Sequence, residues 1–89
     1  MKRTVANWEQ LIGERIKRAR LDKNLTQNEV AERCGITQLT ISKLESGKGS
    51  RLSTLINVMK VLDLEEQFEM LVPPKPVSPI QILQRHAPR

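Results

Sequence analysis

The sequence predicts an all-α fold of five helices followed by a proline-rich C-terminal tail. Apolar residues recur at helical spacing between residues 11 and 71. Thr26 with Glu29, and Thr37, stand where residues that cap helix N-termini are expected. The prolines of PPKP at 73–76 cannot continue a helix. Because 89 residues allow one domain, we predict a helical domain over 1–72 and a tail over 73–89.

The first helix is expected to begin near residue 7 and to continue to about Asp22. Asn7 and Gln10 suggest a capped start. We expect its inner side to consist of Leu11, Ile12, Ile16, Ala19 and Leu21.

Residues 26–47 predict two short helices joined by a tight turn. Thr26 and Glu29 form a capping box for a helix over about Gln27–Arg33, and Gly35 suits its left-handed end. Thr37 caps a third helix over about Gln38–Ser46, which Gly47 closes. The small residue Ala31 permits a close helix crossing. Apolar side chains expected to face inward are Val30, Cys34, Ile36, Ile41 and Leu44. This arrangement is typical of a helix-turn-helix, in which the second helix of the pair enters the major groove of DNA.

Two further helices are expected before the prolines. Ser53 is the predicted cap of the fourth helix, and Asp63 is that of the fifth. The buried residues are expected to be Leu55, Val58, Met59 and Leu62 in the fourth helix, and Leu64, Phe68 and Leu71 in the fifth.

The outer face of the third helix separates the helix-turn-helix from an ordinary helical hairpin. It contains no acidic group, which suits a surface that faces phosphates. Gln38 can pair bidentately with adenine, Leu39 can contact a thymine methyl, and Lys43 can reach a guanine or the backbone. The predicted base-reading residues are Thr37, Gln38, Leu39, Thr40, Ser42 and Lys43.

Phosphate contacts are expected at both ends of this helical pair. Gln27 begins a helix, whose N-terminus favours a phosphate oxygen. Ser46, Lys48 and Arg51 follow the third helix, and the two glycines of GKGSR allow the backbone to approach DNA closely.

The formal net charge of +5 is unevenly distributed along the chain. Residues 1–23 carry net +4 and residues 24–62 net +2, whereas residues 63–72 carry net −4. The basic part suits attraction to phosphate. The segment with Glu65, Glu66 and Glu69 is expected to face the dimer partner or another protein.

Composition argues against several other classes of protein. A single cysteine, Cys34, allows neither an intramolecular disulfide nor a cysteine-based zinc cluster, and it lies on an apolar stripe. There is one histidine, no tyrosine and no glycine-rich phosphate loop. We therefore expect no enzyme activity, no cofactor and no metal. No apolar run approaches the ~20 residues of a membrane span, so a cytoplasmic protein without a membrane partner is expected.

Gln27 to Gly47 resembles the helix-turn-helix of the Cro/lambdoid repressor family, or XRE family. The similarity extends from about Leu11 to Met70 and includes IKRARLDKNLTQ and LSTLINVMKVLDL. It implies a five-helix, lambda-repressor-like domain that binds operator DNA as a homodimer. It also implies that Gln27 braces Gln38, and that Arg20 and Glu45 form a partly buried salt bridge.

ITQLTIS and LSTLINVMKVLDL also resemble segments of Hip-type antitoxins, which both repress their own operon and bind a toxin. Two functions therefore remain open: a repressor of an inverted-repeat operator, and a protein-binding module that uses the fifth helix and the tail. In the tail, Ser78, Pro79 and Gln81 predict a short helix start, with Ile80, Leu83 and Ala87 on one side. The alternative is a disordered tail, and His86 is assigned no role.

Overall fold

The computed structural model of the protein describes residues 2–75, which form five helices and no strand. The α-helices are α1 (Val5–Asp22), α2 (Gln27–Cys34), α3 (Gln38–Glu45) and α4 (Leu52–Val61), and a 3-10 helix follows at Glu65–Met70. The predicted all-α class is confirmed. The expected helix start at Ser78 and the residues that follow it, His86 included, lie outside the described residues.

The core lies where α1, α2, α3 and α4 meet. α3 packs against both α1 and α2, and α4 packs against α2. The buried apolar residues are Ile16, Leu25, Val30, Ala31, Ile41, Leu44, Val58 and Leu62. Ala31 is almost fully buried, as the predicted close crossing of α2 and α3 requires.

The predicted caps of the helix-turn-helix are present. The Thr26 hydroxyl accepts a hydrogen bond from the Glu29 amide at 3.0 Å, and the Glu29 carboxylate accepts one from the Thr26 amide. The bond from the Thr26 amide, and after it the Thr26 hydroxyl, lowers the pKa of the Glu29 carboxyl. Gly35 adopts the left-handed conformation (φ 68°), and the Thr37 hydroxyl accepts from the Thr40 amide. The short connection therefore redirects the chain between α2 and α3.

The predicted start of the first helix is wrong by one turn. Thr4 is the N-cap, and Asn7 is the third helical residue. The Thr4 hydroxyl accepts from the Asn7 amide, while the Asn7 side chain accepts from the Thr4 amide. Asn7 thus completes a capping box and does not begin the helix.

The buried face of α1 also differs from the prediction. Ile12 and Leu21 are 37% and 47% exposed, whereas Gly13 and Arg20 are buried. The glycine allows α1 to approach the backbone of α3: a Cβ atom at residue 13 would lie 2.6 Å from the carbonyl oxygen of Glu45. α1 therefore packs through a glycine and a paired cation as well as through aliphatic side chains.

The predicted caps Ser53 and Asp63 are wrong. α4 begins at Leu52 with Arg51 as its N-cap residue, so Ser53 lies inside the helix. Asp63 has a positive φ of 59° and follows the end of α4, where the amide of Leu64 donates to the carbonyl of Met59. This is the bonding of a Schellman motif, which requires a left-handed residue.

The 3-10 helix is less buried than expected. Leu64 and Phe68 are half-buried, but Leu71 is 60% exposed and no residue of Glu65–Met70 is buried. This segment therefore leaves much of its apolar surface open.

Candidate nucleic-acid interface

The exposed surface of α3 is uncharged except for one lysine. Gln38 and Lys43 are exposed, and Leu39 is 62% exposed. The acidic residue of this helix, Glu45, is buried. α3 thus presents an amide, an aliphatic side chain and an ammonium group, with no carboxylate on the same surface.

Glu45 is buried because it pairs with Arg20 from α1. Arg20 Nε donates to Glu45 Oε2 at 2.6 Å, and Arg20 Nη2 donates to Glu45 Oε1 at 3.0 Å. Arg20 Nη1 also donates to the carbonyl oxygen of Leu25 at 2.7 Å. One guanidinium group therefore joins α1, the segment before α2 and the end of α3.

Gln27 connects this ion pair to the exposed surface of α3. Its Nε2 donates to Glu45 Oε1 at 3.1 Å, and its Oε1 accepts from Gln38 Nε2 at 3.5 Å. Gln27 is half-buried at the first position of α2. The two glutamines thus lie together where α2 and α3 begin.

The hydroxyl groups near the start of α3 are partly engaged in capping. Thr37 Oγ1 lies 2.9 Å from Thr40 Oγ1 and accepts from the Thr40 amide at 3.2 Å. Thr40 and Ser42 are half-buried. Thr37 and Thr40 therefore shape the beginning of the helix, and their hydroxyls retain capacity for a further hydrogen bond.

The remaining predicted residues lie beyond the C-terminal end of α3. Ser46 is exposed, and its hydroxyl donates to the carbonyl oxygen of Lys43 at 3.2 Å. Lys48 is exposed, as is Arg51, which precedes α4. Gly47 and Gly49 have φ values of 78° and 85°. The loop therefore carries two exposed cations on a backbone that turns through left-handed conformations.

A metal site, a reactive thiol and a membrane-spanning helix each have structural requirements, which the described residues do not meet. Within residues 2–75 no group of histidine, cysteine and carboxylate side chains could hold a metal ion. Burial raises the pKa of the Cys34 thiol, which suits a core side chain better than a reactive one. None of the helices within residues 2–75 combines the length and the hydrophobicity that a membrane span needs.

Two features of the site had not been expected from the sequence. The hydrogen bond from Gln27 to Glu45 joins residues 18 positions apart, and no local sequence pattern predicts it. The close approach of Gly13 to α3 had a signal, because a glycine inside a helix costs stability unless packing requires it.

The chain matches the model of a known protein family over most of its helical part. A helix-turn-helix family model of the XRE type matches residues 16–68, more than half of the chain. The match begins at the first buried aliphatic residue of α1, includes α2, α3 and α4, and ends within the 3-10 helix. None of the curated proteins matches the chain.

Proposed function

Because the chain belongs to the XRE-type helix-turn-helix family of DNA-binding regulators, we propose that it is a dimeric repressor of an inverted-repeat operator. The observation that carries this proposal is the exposed surface of α3. Gln38, Leu39 and Lys43 are exposed there, while Glu45 is buried against Arg20. A helix with this surface can approach the edges of base pairs without bringing a carboxylate near phosphate.

Base recognition is assigned to the first two turns of α3. Gln38 offers an amide for adenine N6 and N7, and Leu39 offers an apolar surface for a thymine methyl. Lys43 reaches a guanine or a phosphate one turn further along. The hydroxyls of Thr37, Thr40 and Ser42 complete this set by bonding base edges or phosphate oxygens.

Phosphate contacts are assigned to the two ends of the helical pair. Gln27 stands at the N-terminus of α2, where backbone amides and the helix dipole attract an anion. Ser46, Lys48 and Arg51 clamp the backbone beyond α3 and set the register without reading sequence.

Dimer formation is assigned to the apolar surface of α4 and the segment after it. An open groove of about 520 Å³ is lined there by apolar side chains and two carboxylates. The exposed apolar residues nearby include Ile56, Leu71 and Val72. A second copy of the chain would cover this surface. To bind an inverted repeat, such a dimer must hold its two recognition helices about 34 Å apart, one turn of DNA, or a multiple of that.

Two substitutions test the assignment of roles. Gln38→Ala should weaken binding to the preferred duplex by about 1–3 kcal/mol, with little effect on a random duplex. Lys48→Ala should weaken binding to both duplexes alike and make the salt dependence shallower. Gel-shift titrations of both variants at two salt concentrations would check this, and equal losses for Gln38→Ala on both duplexes would contradict base reading.

A second function, binding of a toxin or another protein, is favoured by the carboxylates beside the same groove. Glu65 and Glu69 line it together with Phe68, a combination that suits a partner with apolar and basic side chains. Deleting residues 73–89 tests the contribution of the tail. Retained operator binding with loss of a co-expressed partner would assign partner binding to the tail, and an unchanged partner profile would exclude that role.

A further inference from the structure

A directed series of hydrogen bonds leads from the buried ion pair to the exposed Gln38. Glu45 accepts one hydrogen bond from Arg20 on each of its two carboxylate oxygens, and a guanidinium group can only donate, so both oxygens act as acceptors. The group of Gln27 that approaches Glu45 Oε1, at 3.1 Å, must therefore be its NH2. The ion pair thus determines which way the Gln27 amide faces.

The orientation of Gln27 in turn constrains Gln38. Because the Gln27 nitrogen faces Glu45, its Oε1 faces Gln38. Gln38 Nε2 donates a hydrogen bond to this oxygen at 3.5 Å. The reversed Gln27 amide would place its oxygen against a Glu45 oxygen that already accepts from Arg20, and it would lose a hydrogen bond. Gln38 is left with one N–H and its Oε1 for a ligand.

We propose that Glu45 is a positioning residue for base recognition, acting through Gln27 to fix the direction of the Gln38 amide. This inference rests on the proposed function. One N–H and one carbonyl oxygen match adenine, which offers an acceptor at N7 and a donor at N6. Guanine offers acceptors at both N7 and O6, so the Gln38 oxygen would meet an acceptor. The Arg20–Glu45 ion pair therefore favours adenine over guanine at the base pair that Gln38 contacts.

The test measures a ratio of affinities, which a general loss of stability does not change. Selection of bound duplexes from a random pool gives the preferred site, and the position at which Gln38→Ala loses its preference is the base pair that Gln38 contacts. Duplexes with adenine or guanine at that position are then compared. Gln27→Leu should lower the adenine-to-guanine ratio by about fivefold or more, since a bidentate contact supports discrimination of that order.

Asn28→Leu is the matched control. Asn28 is exposed beside Gln27 in the first turn of α2, and its amide bonds to Glu32 rather than to the ion pair. We expect it to leave the ratio unchanged. An equal fall in Gln27→Leu and Asn28→Leu would overturn the proposal, because it would assign the effect to the surface of α2 in general.

Glu45→Gln provides a second change, at the ion pair itself. Arg20 donates to both Glu45 oxygens, and Oε1 also accepts from Gln27, so an amide at position 45 cannot accept all three bonds and no longer fixes the direction of the Gln27 amide. The adenine-to-guanine ratio should then fall toward that of Gln27→Leu, and an unchanged ratio in a protein that circular dichroism shows to be folded would overturn the role of Glu45. If this variant does not fold, Gln27→Leu decides alone.

The affinity measurements separate the proposed function from the role of Glu45. A wild-type protein that prefers no duplex would overturn the proposed function. A wild-type protein that selects a sequence, with a ratio unchanged in Gln27→Leu, would overturn only the positioning role of Glu45.

Discussion

Gly13 in α1 faces the backbone of Glu45 at the end of α3, and a Cβ atom at residue 13 would lie 2.6 Å from the Glu45 carbonyl oxygen. The carbonyl oxygen of Leu44 would be in contact as well. Both obstacles are backbone atoms, so no side-chain rotation can relieve the clash. The distance between α1 and α3 is therefore set by the absence of a side chain at residue 13.

Gly13→Ala should lower the free energy of unfolding by about 1–3 kcal/mol, the usual range for overpacking. The loss should appear even though alanine favours a helix interior over glycine by about 1 kcal/mol. Urea unfolding would measure it. Arg15→Ala, at an exposed position of the same helix, is the control and should change stability by less than about 0.5 kcal/mol. A Gly13→Ala protein more stable than wild type would contradict the close packing.

Arg20→Met should lower the free energy of unfolding by about 3–5 kcal/mol, because it leaves the buried Glu45 carboxylate without its cation. The double variant with Glu45→Met removes both charges and should recover part of this loss. Thermal unfolding of the two single variants and the double variant measures the coupling. We expect DNA affinity to fall together with stability, and reduced affinity at unchanged stability would place Arg20 at the DNA instead.

Asp63→Asn should make stability less dependent on acid pH. Lys23 Nζ lies 2.7 Å from Asp63 Oδ2, and this hydrogen bond and charge lower the pKa of Asp63 below its ordinary 3.8. A lowered pKa in the folded state contributes stability above pH 3.8, and this contribution disappears as the pH falls through the folded-state value. Wild type should thus be more stable than Asp63→Asn at neutral pH and equal to it in strong acid.

Urea unfolding at several pH values would check the Asp63 prediction. Asparagine also tolerates the left-handed backbone, so the substitution changes charge with little change in conformational preference. Glu66→Gln is the control for removal of an exposed carboxylate from the same segment. A difference between wild type and Asp63→Asn that stays constant with pH would exclude the Lys23 pair as its source.

Leu39→Ala should abolish the difference in affinity between a duplex with thymine and one with uracil at the contacted position. Replacing the contacted thymine by uracil should weaken wild-type binding by about 0.8 kcal/mol, the value of one buried methylene-sized group. Leu39→Ala should bind the two duplexes equally, and Lys43→Ala should keep the wild-type difference. Because Leu39 is 62% exposed, its own substitution should change stability by less than about 0.5 kcal/mol. A methyl effect that survives Leu39→Ala would assign the contact to another residue.

The helix-turn-helix was predictable because its signals are local. The bonds between Thr26 and Glu29 join residues three positions apart, so spacing alone reveals them. The same holds for the left-handed end at Gly35. The main-chain path of the candidate site therefore follows from short-range rules.

The side-chain environments that could not be predicted depend on contacts between residues far apart in the sequence. Asp63 is the left-handed residue that ends α4 instead of a cap, and its side chain bonds to Lys23, forty positions earlier. Arg20 is buried in α1 because Glu45 receives it, whereas Leu21 beside it remains half exposed. The periodicity of apolar residues could not predict which of these two neighbours is more deeply buried, since the partner of Arg20, Glu45, belongs to another helix.

Arg20 belongs to α1, and its three hydrogen bonds end on Leu25 and Glu45. A graft of residues 26–47 onto another scaffold would consequently carry a carboxylate without its cation, and two eight-residue helices that are too short to persist alone. Residues 26–47 therefore cannot be transferred alone. Under the proposed function, a change of operator calls instead for exchange of the exposed side chains of α3 within the intact domain, with Arg20 and Gln27 retained.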